Sequence, residues 1–272
     1  MFMEHIASRT RNTHTSEKEL SSMSININLE LTDHCNLKCT MCSQSMRDEA
    51  HGVPHRFMKW ETWRESLNNL RDFPDEIQLC PHWLGEPTLH PDFDRFISYA
   101  FGINHNNQIF RGFRLHTNAV LFSEERSRLL LELAQLPFIK DDTFNFIHFS
   151  LDAFSKDTYH IIKGKDTREM AYRNILRFLA LRSKLGYLRP FVSMGFVVQP
   201  NNAHEAQEFL NFWEQNLSDH SVDFDWQHKE CDSIYFRRLN TDNQEKSDLL
   251  FMNTLSKLGF EQTKLMRGTE SF

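Results

Sequence analysis

Along the chain, short runs that alternate apolar and polar residues take turns with longer segments whose apolar residues recur every three or four positions. The alternating runs are 25–32, 76–83, 112–118, 144–152, 191–199 and 222–228. The helical pattern occupies 57–71, 92–101, 124–136, 168–185 and 203–216, with a last segment near 242–258. Strand–helix alternation with connections this long predicts parallel strands joined by right-handed crossovers. Strands sandwiched between two helical layers are apolar on both faces, and these are not. One face of the first run carries Asn26, Asn28, Glu30 and Thr32 against Ile25, Ile27, Leu29 and Leu31. The second sets Gln78, Cys80 and His82 against Ile77, Leu79 and Trp83, and the third sets Arg114, His116 and Asn118 against Phe113, Leu115 and Thr117. The fourth offers His148, Ser150 and Asp152, the fifth Ser193, Gly195 and Gln199, and the sixth Asp223, Asp225 and Gln227. Helices must cover the apolar face, so the polar face needs another environment. A curled parallel sheet with helices outside and a polar lumen satisfies both demands, whereas an eight-fold barrel packs its interior with branched apolar layers. The pattern predicts an α/β fold, a partial (β/α)6 TIM-like barrel with a polar lumen.

Composition narrows the class. The chain has 272 residues, 40% hydrophobic and 25% charged, with 24 phenylalanines and only 9 glycines, which suits a globular protein and argues against low complexity. The formal net charge of −6 gives no electrostatic case for a nucleic-acid or anionic-membrane partner. No run of apolar residues is long enough for a membrane helix, and residues 1–24 read as a polar lead-in without the apolar core of a secretory signal. A cytoplasmic location is expected. The pattern places the barrel at 25–235 and a C-terminal helical extension at 236–272.

Cysteine changes the picture most. Of five cysteines, three stand at Cys35, Cys39 and Cys42, just beyond the first strand. In parallel barrels, chemistry belongs at the carboxyl ends of the strands. Clustered thiolates suit a soft metal centre, and a reducing compartment disfavours a disulfide. A structural zinc site needs a fourth ligand, for which His34, Cys80 or His82 would have to arrive through folding. An ordinary iron–sulfur cluster takes four cysteines; three leave one iron open, as catalysis requires. The alternative is a non-catalytic iron–sulfur or zinc module for electron transfer or structure, which has no use for a polar lumen.

C-x3-C-x2-C in "LTDHCNLKCTMC" resembles the signature of the radical S-adenosylmethionine (radical SAM) enzymes, in the form common in the branch that often carries a C-terminal auxiliary-cluster (SPASM-type) domain. The resemblance continues in order: "LGEPTLHPDF" at 84–93 resembles the Gly-Gly-Glu-Pro segment, with Leu84 for the first glycine. "LHTNAVLF" at 115–122 resembles the Thr-Asn-Gly segment, with Ala119 for glycine, "FSLDAFSKDTYHIIKGKD" at 149–166 the Ser-Leu-Asp segment, and "VVQPNNAHE" at 197–205 the fifth-strand ending. No cysteine follows Cys231, so an auxiliary cluster is not expected within this chain.

This resemblance implies a [4Fe-4S] cluster on Cys35, Cys39 and Cys42, with the open iron chelated by S-adenosylmethionine. It also implies that Glu86 and the backbone near Gly85 meet the cofactor's ammonium and that Met41 lies against the adenine. Ser150 and Asp152 would contact the methionine carboxylate or ribose, Asp152 being equally suited to cap the turn that follows; Asn118 would also bind the cofactor, with Val198 and Asn201 bordering the adenosine. A reduced flavodoxin or ferredoxin would supply the electron, and a 5′-deoxyadenosyl radical would take hydrogen from a polar small molecule or peptide side chain. Arg114, His116, His148, Asp223 and Asp225 are the candidates for gripping that substrate. Cys80 reads as a small buried residue sooner than as a hydrogen donor, and Cys231 and Tyr235 have only their position in their favour. "FRRL" at 236–239 reads as a solvated turn rather than an anion site. A homodimer is compatible with the pattern.

Overall fold

The computed structural model describes residues 25–45, 56–73, 77–136, 144–217, 222–224 and 231–260. Seven parallel strands form one sheet: β1 (Ile25–Asn28), β2 (Ile77–Cys80), β3 (Gly112–Thr117), β4 (Phe144–Ser150), β5 (Phe191–Val198), β6 (Val222–Asp223) and β7 (Asp232–Arg238). Their order is β1-β2-β3-β4-β5-β7-β6, so among the described residues the sheet does not close on itself, as in a partial barrel. The helices that cross over it are α1 (Trp60–Asn69), α2 (Phe93–Asn107), α3 (Glu124–Leu133), α4 (Lys156–Lys163), α5 (Arg168–Lys184), α6 (Ala206–Asn216) and α7 (Gln244–Lys257).

Local chemistry fixes where several helices begin. Ser123 accepts from the backbone N–H of Arg126, Ser155 from that of Thr158, and Asn243 from that of Lys246. Each bond satisfies one of the donors a helix start leaves open.

The sixth barrel strand is not where the pattern put it. Of the described part of the 222–228 run, Val222–Asp223 is strand, and it lies at the sheet edge; residues 225–228, with Asp225 and Gln227, fall outside the described residues. The position beside β5 belongs to β7, whose last three residues fall in the segment read as a solvated turn. Its alternation is as clear as any other. Ile234 and Phe236 enter the apolar core, while Ser233, Tyr235 and Arg237 take the opposite face. A division drawn after residue 235 therefore falls inside a strand.

One face of the sheet and the inner faces of the helices form a core rich in phenylalanine. Phe122 meets Phe149 edge-on at 5.4 Å and Phe178 at 5.5 Å, and Phe196 lies 4.8 Å from Phe209. Such edge and tilted pairs add about 0.5–1.5 kcal/mol each beyond their buried area. Register then carries the other face across the sheet. His116 pairs with His148, His148 with Ser193, Ser193 with Ser233, and Asp223 with Ser233. Register partners share a face, so this row lines the lumen.

Candidate active site

The cysteine loop follows β1 and is held from three sides. On the first, Glu30 Oε1 accepts from the N–H groups of Leu84 (2.6 Å) and Gly85 (2.8 Å), and the Glu86 N–H donates to His34 O at 2.8 Å. The two backbones run so close that a Cβ on Gly85 would stand 1.9 Å from Thr32 O and 2.9 Å from His34 O. Only glycine fits there, which explains why Gly85 persists where Leu84 replaces its neighbour. On the second side, the Asn118 amide at the end of β3 donates to Asn36 Oδ1 at 2.7 Å. On the third, the loop docks on the last turn of α4. Lys38 N–H donates to Lys163 O (3.0 Å) and Thr40 N–H to Ile162 O (2.9 Å). Carbonyls that the end of a helix leaves open thus hold the segment that carries Cys39.

The thiols are half-buried. Burial pushes Cys35 up to about 12 and raises Cys39, against which the neighbouring Lys163 ammonium works. Without a soft cation these groups stay protonated, and metal loading must release their protons. Among the described residues no three His, Cys, Asp or Glu side chains converge on a point for a single metal ion. Three free, half-buried thiols on one short loop suit a cluster in which each thiolate binds a different iron, so the residues present fit a [4Fe-4S] group with one iron left to a cofactor.

Around the loop, the expected residues separate by job. Glu86 is buried and its carboxylate acts as a clip. Oε1 accepts from the Thr88 N–H, the Thr88 hydroxyl (2.5 Å) and the Thr117 hydroxyl (2.8 Å), and Oε2 from the Asn118 N–H (2.7 Å). Burial raises its pKa and these bonds oppose the rise. The carboxylate thus joins the segment after β2 to the end of β3. Asp152, with φ of 60°, accepts from the Val197 N–H through Oδ1 (2.7 Å) and from Lys163 Nζ through Oδ2 (2.5 Å). Burial works against the charge of Lys163, but the Asp152 carboxylate outweighs it, and the pKa of Lys163 lies above its ordinary value. Ser150 is half-buried in register with Gly195. Met41 approaches Gln199, whose amide lies 4.0 Å from its sulfur. The structure does not bring Val198 to this place, because its side chain is in the apolar core. Asn201 is exposed, whereas its neighbour Asn202 is buried and donates to Asp152 O and Val197 O.

Inside the lumen the structure brings His82, His116 and His148 together. The His82 and His116 rings stack at 4.1 Å, and His116 and His148 lie 4.7 Å apart. The His116 N–H donates to His82 Nδ1 at 3.3 Å, and His148 Nδ1 is 3.3 Å from Ser193 Oγ. Gly195 makes room for this layer: a Cβ there would stand 2.3 Å from His148 Cε1. Burial first, and then the positive charges nearby, push His82 and His148 down to about 3 and His116 well below its usual value. All three rings are neutral at physiological pH. Beneath them Arg114 donates to Gln78 Oε1 at 2.8 Å. Cys80 beside it is buried, and burial lifts its thiol to about 11. Asp223 shares the histidine row but sits at the sheet edge, half-buried, accepting from the Phe224 N–H. Cys231 is buried just before β7, and Tyr235 is half-buried on its lumen face.

The alternation had put Glu30 and Gln199 on polar strand faces without giving them a part in the site, and it singled out neither Asn36 nor Lys163. Lys163 had the most visible mark, standing immediately before Gly164, the left-handed residue that ends α4.

Comparison with known proteins agrees with this geometry. The family model described as the Radical SAM superfamily matches residues 29–212. The tungsten-containing aldehyde ferredoxin oxidoreductase cofactor-modifying protein of Pyrococcus furiosus is 25% identical over 186 residues, 68% of this chain and 46% of its own. The GTP 3′,8-cyclase of Pectobacterium atrosepticum is 24% identical over 187 residues, 68% of this chain and 50% of its own. The chain thus spans about half the length of the curated relatives it matches. Among solved structures, anSMEcpe with bound AdoMet superposes with a TM-score of 0.61 at 17% identity, covering 87% of this chain and 58% of that one. Methylornithine synthase (PylB) gives 0.52 at 15% identity, covering 87% and 62%; both likenesses show the fold. No helix among the described residues is long and apolar enough to cross a membrane. The chain belongs to the radical SAM superfamily, a family of enzymes whose cofactors are a [4Fe-4S] cluster and S-adenosylmethionine.

Proposed function

We propose that this protein reductively cleaves S-adenosylmethionine at a [4Fe-4S] cluster held by Cys35, Cys39 and Cys42, and directs the abstraction of a hydrogen atom from a polar substrate in the lumen. The observation that carries this reading is the cysteine loop, clamped by Gly85, Asn118 and the end of α4 at the mouth of a lumen lined by polar, hydrogen-bonding side chains. The cluster and its cofactor supply the radical chemistry when bound.

The chain's own residues bind, orient and exclude. Glu86 fixes the strand ends that flank the loop, and Asp152 holds Lys163 beside Cys39. Met41 and Gln199 form the side of the site expected to meet the adenine, with Ser150 and Asn118 on the methionine and ribose side. His82, His116 and His148 each offer a donor and an acceptor without a charge, which suits a hydroxyl- or amide-bearing guest. A radical that attacks unreactive C–H bonds needs its target held close and stray donors kept out. The buried layer below the mouth meets that need. The relatives point the same way, since a cofactor-modifying protein and a GTP cyclase are named for polar molecules. A reduced flavodoxin or ferredoxin is the expected electron donor.

The test is spectroscopic. Reduced, iron-reconstituted protein is expected to change its electron paramagnetic resonance signal when S-adenosylmethionine is added, because one iron is open to the cofactor. Cys39→Ala should lose the cluster while retaining the fold by circular dichroism. An unchanged signal in the wild-type protein, or full cluster loading in Cys39→Ala, contradicts the reading.

A further inference from the structure

The cysteine loop and the last turn of α4 meet along a seam that holds a buried cation. Cys39 stands between two residues fixed to that turn: the Lys38 N–H donates to Lys163 O at 3.0 Å and the Thr40 N–H to Ile162 O at 2.9 Å. Gly164, with φ of 70°, lets the two backbones close, since a Cβ there would stand 2.6 Å from Lys38 O and 3.0 Å from Lys38 Cβ. The Lys163 side chain is 2% exposed, with its Nζ 2.5 Å from Asp152 Oδ2. Asp152 is held in turn by the Val197 N–H and, at its carbonyl, by the Asn202 amide, so both charges of the pair are fixed. Resting on the cluster site proposed above, we propose that Lys163 sets the reduction potential of that cluster, its ammonium favouring the negative charge that one-electron reduction adds.

Three observations support the assignment. The first is the seam itself, whose backbone bonds on either side of Cys39 fix the loop to the turn that carries Lys163. The second is burial. Charge near a cluster is one of the protein's levers on its potential, and a buried charge is screened far less than a solvated one. Lys38 makes the contrast: it is next to Cys39 in the chain, yet exposed. The third is that the ion pair does not cancel at the thiol. Burial raises Cys39; of the charges that bear on it, Lys163 counts most and opposes the rise, and Asp152 comes next with the opposite sign. Cys35, by contrast, has the Glu86 carboxylate as the first charge bearing on it. The pair also has its own logic. Burial alone favours the neutral amine, and Asp152, followed by Cys39, keeps Lys163 charged. No bond is made or broken in this step. One electron passes from the low-potential donor, and Lys163 makes its acceptance easier.

A redox titration of the reconstituted protein, followed by electron paramagnetic resonance without S-adenosylmethionine, reads the midpoint potential of whatever fraction holds a cluster. Lys163→Met should lower it, by about tenfold in the reduction equilibrium, which is about 59 mV for one electron. Asp152→Asn leaves the ammonium without its counter-ion and should raise the potential. Lys163→Arg, which keeps the charge, and Lys38→Met, which removes a solvated one, should both stay close to the wild-type value. If Lys163→Met alone does not load, the combination with Asp152→Asn removes both charges and leaves neither unpaired; its potential should also fall, by less. An unchanged or higher potential on losing Lys163, singly or in the combination, overturns the assignment. So does a fall in Asp152→Asn, or a fall in Lys38→Met as large as that in Lys163→Met. The response to S-adenosylmethionine is a separate measurement. A cluster that answers the cofactor but whose potential ignores Lys163 overturns this inference alone, whereas a wild-type protein that holds no cluster overturns the proposed function with it.

Discussion

Two buried ion pairs sit at opposite ends of this barrel, alike in chemistry and unlike in surroundings. Arg182 of α5 meets Asp232 at the start of β7 at 2.5 Å, and Lys163 of α4 meets Asp152 after β4 at 2.5 Å; all four side chains are at most 5% exposed. At the amino end of the strands, Asp232 also accepts from the Val192 N–H, and Arg182 also donates to Pro190 O. Every group there ties α5, β5 and β7 together, and nothing in that set is reactive. At the carboxyl end, the Lys163 carbonyl holds the cysteine loop while its ammonium acts on the Cys39 thiol. The same kind of pair closes the fold in one place and tunes a site in the other. Burial of a charge pair is therefore a poor guide to function unless one asks what else its members touch.

Breaking each pair sharpens the contrast. Removing one partner of a buried pair costs about 3–5 kcal/mol because the other charge is left uncompensated. Asp232→Ala is expected to fall in that range by urea unfolding, with cluster loading unaffected in whatever fraction stays folded. Asp152→Asn should cost stability too, but it should also lower the iron bound per folded protein. Equal iron content in the two variants would mean that the carboxyl-end pair is as purely structural as the other.

Gly85→Ala attacks the loop without touching a charge. A Cβ 1.9 Å from Thr32 O cannot be accommodated unless the two backbones part. Iron loading after reconstitution should drop severalfold while the far-ultraviolet circular dichroism of the sheet persists; normal loading would show that the loop is free to move.

The histidine layer gives a smaller, pH-dependent effect. His82 and His148 are held at about 3 in the folded protein, against about 6.5 when unfolded. Below pH 6.5 the unfolded chain binds more protons, so stability falls as pH drops from 6.5 toward 3 and is flat above 6.5 on their account. Each ring contributes up to about 1.4 kcal/mol per pH unit across that window. Urea midpoints measured between pH 5 and 8 should show the slope on the acid side only, and His148→Asn should reduce it. The smallest effect belongs to Arg238 and Asp248, which are 33% and 42% exposed. Arg238→Gln should cost less than about 1 kcal/mol.

Much of this was legible in the sequence, and the exceptions have physical reasons. The alternation in 112–118 and 144–152 announced the lumen histidines because a strand shows one face at a time. The cysteine spacing announced the loop because three thiols so close have few other uses. β7 was missed because two adjacent arginines suggest a solvated turn, yet in a strand neighbours face opposite ways, and Arg237 and Arg238 each find a separate environment. Glu86 was expected beside the loop, and its bonds within the protein were not. Its carboxylate is occupied by Thr88, Thr117 and Asn118, contacts that depend on where β3 ends. Val198 shows the limit of reading a segment rather than a side chain, since the segment borders the site while that side chain faces the core. Lys163 joins the site through the end of a helix folded back on the loop, and no periodicity encodes that.

The central claim is that the cysteine loop and the polar lumen together cleave S-adenosylmethionine. The most direct test is anaerobic: reconstitute the protein with iron and sulfide, add dithionite and S-adenosylmethionine, and measure 5′-deoxyadenosine by mass spectrometry. The account expects the nucleoside from the wild-type protein and none from Cys39→Ala. A fully loaded cluster that yields no 5′-deoxyadenosine, or equal yields from the two proteins, would contradict it.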